Sequence, residues 1–265
     1  MTDSQSAPSS DAARRWARRG GRLGGRRDRW PPEREARSLR ARMERRYPLA
    51  VREITIGERR FAITVVADPD QVLLEMERGI AHAGRDEPRW QPYWAESWES
   101  AIGLGTRLIE RRLDGAKVLD LGCGIGLAGT VAASQGADVF FADAAPPALL
   151  FARWNAWPWR DRIRAARVDW QRDTLGESFD RILGADIVYD RHDWEHLDRF
   201  WRRHLTPGGS VLVGEPSRSG SNAFPSWMAD RGWHCSGSEV VVEHRPRRIR
   251  IWDLSIEARR AGEGR

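Results

Sequence analysis

Lys117-Val118-Leu119-Asp120-Leu121-Gly122-Cys123-Gly124-Ile125-Gly126-Leu127, followed at a distance by Val139-Phe140-Phe141-Ala142-Asp143, is the stretch on which the fold is read. An apolar run enters a turn with glycine at three alternate positions, and the residues beyond it suit a helix. Strand, glycine turn and helix in that order open a nucleotide-type α/β fold. Glycine permits both the tight turn and a close approach of the backbone to a ligand.

The acid at Asp120 bears on what that ligand is. A dinucleotide brings an anionic pyrophosphate to such a turn, where a carboxylate is unwelcome. S-adenosylmethionine brings a sulfonium and an ammonium instead, which acids attract. At an effective dielectric of about 20, opposite unit charges about 4 Å apart gain ~4 kcal/mol, and like charges lose as much. The charge logic favours S-adenosylmethionine.

Outward from this stretch, strand and helix patterns alternate. Strands are expected at 116–121, 138–142, 164–168, 180–186 and 210–214, with helices near 99–112, 126–135, 146–154, 192–204 and 222–231. Such alternation implies right-handed crossovers and a parallel sheet. Glu239–Glu243 and Arg248–Ile256 flank a His244-Arg245-Pro246-Arg247 turn and read as a closing antiparallel hairpin. Upstream, Val51–Ile56 and Phe61–Val66 alternate at period two around Gly57-Glu58-Arg59 and predict an N-terminal hairpin, with a short amphipathic helix over 69–82. The fold class is therefore α/β: a mostly parallel, seven-stranded, Rossmann-like sheet ending in an antiparallel hairpin and preceded by an N-terminal hairpin.

Charge divides the chain. Residues 1–50 hold fourteen of its 44 basic side chains against six of its 38 acids, which leaves 30 against 32 in the rest. Residues 1–46 have few aliphatics and cannot bury enough apolar area to offset the entropy of ordering. They are expected to be a disordered Arg/Gly-rich tail, whose residues 14–46 suit weak contact with nucleic acid. Residues 47–98 then form the hairpin, helix and a segment covering the cofactor, 99–256 the methyltransferase domain and 257–265 a flexible end. Two cysteines form no disulfide framework, and no apolar run approaches the ~20 residues of a membrane span. A monomeric cytoplasmic protein that does not engage the membrane is the expectation.

Asp143 ends its strand where ribose hydroxyls lie in this fold, and could instead cap the following helix. Asp169 ends the third strand; the neighbouring Trp170 either stacks on an adenine or packs. At the end of the fourth strand, Gly184-Ala185-Asp186-Ile187-Val188-Tyr189 suits an amine acceptor. Methyl transfer from a sulfonium is an in-line displacement, so positioning and exclusion of water dominate. An amine with a pKa of about 10.4 must also lose a proton. Asp186 can orient that amine, and Tyr189 can wall its channel with a cation–π face. Base-flipping amino-methylases carry an Asn/Asp-Pro-Pro-aromatic motif here, and this chain has no such prolines. His192-Asp-Trp-Glu-His196 formally fits a zinc pattern, yet no third ligand cluster accompanies it, so no metal is expected.

The chain resembles the family-16-type class I methyltransferases, the seven-strand protein-lysine methyltransferases. The resemblance rests on Pro92-Tyr93-Trp94-Ala95 with Trp98, Asp120-Leu121-Gly122-Cys123-Gly124, Asp143, Asp169-Trp170 and Asp186-Ile187-Val188-Tyr189. Within that group it is similar to the electron-transfer-flavoprotein β-subunit lysine methyltransferases and their bacterial relatives, whose Gly-Asp-Pro-x-Arg segment resembles Gly214-Glu215-Pro216-Ser217-Arg218. The resemblance covers roughly residues 50–256 and implies S-adenosylmethionine-dependent N-methylation of a protein lysine. It implies a cofactor site at Trp94, Trp98, Asp120, Gly122, Gly124, Gly126, Asp143, Asp169, Trp170 and Ala185, with Asp186 and Tyr189 at the lysine. Relatives usually follow the tryptophan with Pro-Gly or Pro-Ser, whereas Trp98 precedes Glu99-Ser100, a departure on the substrate side. A small-molecule N-methyltransferase and a nucleic-acid-associated protein acting through its basic tail are the alternatives.

Overall fold

The computed structural model describes residues 32–74, 92–96, 99–242 and 247–256. Its centre is a seven-stranded sheet in the order β5-β4-β3-β6-β7-β9-β8. The five parallel strands are β3 (Lys117–Leu121), β4 (Asp138–Asp143), β5 (Ile163–Arg167), β6 (Phe179–Ala185) and β7 (Leu205–Glu215). β8 (His234–Val242) and β9 (Arg247–Ser255) close it antiparallel. β3, β4 and β5 progress to one side and β6 and β7 to the other, so the order reverses between β3 and β6. A crevice outside the carboxyl ends of those strands is where ligands bind in such sheets.

Period two along each strand sends side chains to two separate cores. Val118, Val139 and Phe141 join one, beneath α2 (Glu99–Ile109), α3 (Leu127–Ser134) and α4 (Pro146–Asn155). Leu119, Leu121, Phe140 and Ala142 join the other, with α5 (Trp194–His204) and α6 (Phe224–Ala229). The hairpin of β1 (Leu49–Ile56) and β2 (Arg59–Val66) forms its own two-stranded sheet, and Ile56 packs on Gly105 of α2. Asn155 at the end of α4 ties it down, accepting from the Thr64 amide at 2.8 Å and donating to the Thr64 and Ile125 carbonyls.

Two expectations need correction. The disordered stretch does not reach residue 46: Pro32–Glu44 is a helix, α1, with Leu39 and Met43 buried. Leu39, Met43 and Tyr47 recur every four residues, a narrow apolar stripe inside an arginine-rich sequence, and Glu35 pairs with Arg153 of α4 at 2.7 Å. Residues 1–31 lie outside the described residues, as does most of the helix expected over 69–82, of which 69–74 are helical. β7 also begins earlier than expected: Leu205 pairs with Phe179, and the register jumps to Ser210 with Arg181, so Thr206–Gly209 bulge out. No helix among the described residues is long and apolar enough to cross a membrane.

Candidate active site

At the point of reversal lies a cavity of about 360 Å³, lined along its length by Trp94, Gly122, Gly124, Asp143, Trp170 and Asp186. The glycine turn forms its floor. Gly122, Gly124 and Gly126 all have positive φ, at 63°, 52° and 82°. A Cβ at Gly122 would stand 2.9 Å from Ile187 and 3.3 Å from Trp170, and one at Gly124 would stand 3.3 Å from the Trp94 carbonyl. These two positions keep the cavity open. Gly126 does not line it; a Cβ there would stand 2.6 Å from Ala152, so its bareness lets the turn seat on α4.

Asp143 binds the turn directly. Its Oδ2 accepts from the Gly124 amide and its Oδ1 from the Ala145 amide, both at 2.8 Å. It faces the cavity and holds the chain entering α4, but it does not cap that helix, whose N-cap is Ala145 with no side-chain cap bond. Burial raises its pKa to about 6, against those two hydrogen bonds. The Gly124 amide, which a pyrophosphate would need, is already taken by a carboxylate.

Asp120 stands elsewhere than its charge suggested. It is 1% exposed, does not line the cavity, and accepts from the Gly129 amide in the first turns of α3 at 2.8 Å. Burial raises its pKa to about 7, with the Asp143 charge adding to the shift. Period two explains the difference: Asp120 shares the face of Val118, which is covered by α3, and so it joins strand to helix. The acids that line the cavity are Glu96, Asp143, Asp169, Asp186 and Asp193.

On one side, Asp169 accepts from the Gln171 amide at 3.0 Å and lies 3.8 Å from Arg172. Trp170 leans over Gly122, and Trp94 packs at 5.4 Å on Phe151 and edge-on at 5.3 Å to Tyr47. Both tryptophans carry a buried indole N–H with no acceptor. Trp98 lies outside the described residues. Burial, with Asp143 and Asp120 nearby, pushes the Cys123 thiol well above its ordinary value, which suits a packing residue and not a nucleophile.

On the other side, Ala185 ends β6 and Asp186 follows it. Asp186 has φ 54° and a side chain 4% exposed. Tyr189 and Tyr93 meet edge to face, centroids 6.3 Å apart, at the solvent side. Burial, then the charges of Asp193 and its neighbours, push the Tyr189 hydroxyl up to about 12. Sequence reasoning gave Arg218 no role beyond the resemblance of residues 214–218; the structure pairs it with Asp186, Nη2 to Oδ2 at 2.7 Å and Nε to Oδ1 at 3.3 Å. It missed the bond of Gln171 to Asp193 at 2.6 Å, which joins the two rims of the cavity; nothing in either residue's local sequence announces it. His192 bonds Asp190 and His196 bonds Arg199, both at the surface.

A strand-end carboxylate, a glycine turn whose amide is spent on that carboxylate, a second buried acid and two tyrosines line one cavity. A family profile described as "Lysine methyltransferase" matches residues 94–228, just over half of the chain. The chain belongs to the lysine methyltransferase family. The matched residues of this lysine methyltransferase family member run from Trp94 through the glycine turn and Asp186 to α6.

Its relatives include three methyltransferases of different named substrates. EEF1A lysine methyltransferase 3 of Mus musculus is 32% identical over 149 residues, covering 53% of this chain and 64% of the relative. The electron transfer flavoprotein beta subunit lysine methyltransferase of Xenopus laevis is 31% identical over 146 residues, 52% of this chain and 58% of the relative. The ubiquinone biosynthesis O-methyltransferase of Sinorhizobium medicae is 28% identical over 158 residues, 57% of this chain and 54% of the relative. The chain thus spans 54–64% of the length of these relatives.

Proposed function

We propose that the chain is an S-adenosylmethionine-dependent N-methyltransferase that modifies a lysine side chain of a protein. What carries the reading is the acidic lining of a cavity of about 360 Å³, with Asp186 buried at one end beside Tyr93 and Tyr189. The residues present fit this cofactor. Asp143 and Asp169 favour a cationic, hydroxyl-bearing ligand over a phosphate, and bare Gly122 and Gly124 leave room against Trp170 and Trp94.

When bound, S-adenosylmethionine supplies a methyl group attached to a positively charged sulfur, open to in-line attack by an amine. The chain's residues hold both reactants in place. Asp143 retains lone pairs beyond its two backbone bonds and accepts from ribose hydroxyls. Trp170 offers a flat face for the adenine, and Trp94 closes the cavity from the N-terminal side. Tyr93 and Tyr189 present aromatic faces to an entering ammonium, a contact of about 0.5–2 kcal/mol. The amine reacts only without its proton, so the channel must strip water and let that proton leave. Asp186 accepts an N–H from the neutral amine and sets its direction of approach.

A small-molecule acceptor is the second reading, favoured by the match to a ubiquinone biosynthesis O-methyltransferase. The test is to incubate the purified chain with tritiated S-adenosylmethionine and a lysate from a strain lacking the gene. The proposal expects a labelled protein band, lost with Asp186→Ala; label confined to metabolites would support the second reading instead.

A further inference from the structure

Among the described residues, two that are not glycine have positive φ: Asp186 at 54° and Ser217 at 57°. They belong to one arrangement. Asp186 follows β6 and faces the cavity, and Ser217 turns the chain after β7 so that Arg218 reaches the Asp186 carboxylate with two nitrogens. Left-handed backbone at side-chain-bearing residues survives where the surroundings enforce it, and it gathers at sites of function. The Arg218 loop is enforced from beneath. The Ser221 amide donates to the Arg218 carbonyl at 3.1 Å and its hydroxyl to the buried Glu215 at 2.7 Å, and Glu215 pairs with Arg250. Arg250 in turn donates to Asn222 at 2.9 Å. Asp186 lines the cavity whereas Arg218 does not, so the guanidinium approaches from outside the space a ligand would fill.

We propose that Arg218 is a positioning residue that fixes the Asp186 carboxylate and cancels its charge, setting the electrostatic potential at the methyl-transfer end of the cavity. The proposal rests on the methyl-donor reading above. A buried, uncompensated carboxylate would hold a substrate amine as ammonium, because an opposite charge favours the protonated form. The same carboxylate, already paired, still accepts an N–H bond yet holds the proton less tightly. The other charges near Arg218 do not replace it: Glu99 and Glu215 are acids, and Glu215 is paired with Arg250.

S-adenosylmethionine and S-adenosylhomocysteine differ by one methyl group and one positive charge, so the ratio of their dissociation constants reads the local potential. Calorimetry on the full chain should show Arg218→Gln shifting that ratio toward S-adenosylmethionine by roughly three- to tenfold, the scale of one added unit of negative charge beside a partly desolvated site. Asp186→Asn should shift it the opposite way by a similar factor, and asparagine accepts the left-handed backbone. The double substitution and Arg218→Lys should both return the wild-type ratio. If Arg218→Gln alone does not fold, the double substitution decides: a return to the wild-type ratio supports the proposal, and a ratio left at the Asp186→Asn value overturns it. A merely structural role would weaken both ligands by one factor, and an unmoved ratio overturns the proposal. Failure of the wild-type chain to bind either ligand would overturn the methyl-donor reading, and this one with it.

Discussion

Asn155 treats Thr64 as a neighbouring strand would, bonding both its amide and its carbonyl, at 2.8 and 3.0 Å. The same Nδ2 holds the Ile125 carbonyl at 2.9 Å, so one side chain joins the N-terminal hairpin to the glycine turn. Asn155→Ala would strand three buried backbone groups, each costing about 1–3 kcal/mol if left unpaired. We expect a loss of roughly 2–4 kcal/mol in urea unfolding, and weaker binding of S-adenosylhomocysteine because Ile125 lines the cavity. Stability unchanged within 0.5 kcal/mol or so would show that water replaces the amide.

The correction at α1 leads to a second expectation. Met43 is fully buried, and Tyr47 packs edge-on to Trp94, which lines the cavity. A chain starting at residue 47 should therefore unfold at a lower temperature than one starting at residue 32. The difference should correspond to about 2–5 kcal/mol, the usual cost of removing large buried side chains. Coincident melting curves would mean that α1 adds nothing to the core.

What was legible in the sequence follows from these residues. Alternation of strand and helix, the glycine turn, Asp143 and Asp186 could all be placed because each is marked by local pattern. Helix α1 is hidden because it buries only Leu39 and Met43, with Tyr47 just beyond it, in a run dominated by arginine. The sequence states the charge of Asp120 but not which core its face of β3 joins. Arg218 lies 32 residues from Asp186, and only the adjacency of β6 and β7 brings them together.

Asp120 also predicts a pH dependence. Its folded pKa of about 7 lies above the ordinary 3.8, so between those values the folded chain keeps a proton that the unfolded chain has lost. Stability from this group is therefore full below pH 4 or so and falls as pH rises through about 7, by on the order of 2–4 kcal/mol. Asp143, raised to about 6, adds in the same direction. Asp120→Asn keeps an acceptor for the Gly129 amide without the buried charge. Its urea midpoint should fall less than that of the wild type between pH 5 and pH 8, and parallel declines would contradict this.

Asp143 supports the cavity twice, through the Gly124 amide and through the proposed ribose contact. Asp143→Ala should weaken S-adenosylhomocysteine about 10- to 100-fold, in line with losing charge-assisted bonds of about 1.5–3 kcal/mol. Calorimetry measures this directly. An affinity within about twofold of wild type would remove Asp143 from the binding site.

The central claim is that this cavity brings a methyl group to a lysine amine, and the labelled atom tests it most directly. Protein labelled with tritiated S-adenosylmethionine should be hydrolysed in acid and its amino acids separated. The account predicts tritium co-eluting with Nε-methylated lysine and surviving alkaline treatment of the intact protein. Tritium released by alkali, as from a methyl ester, or found with another amino acid would contradict it.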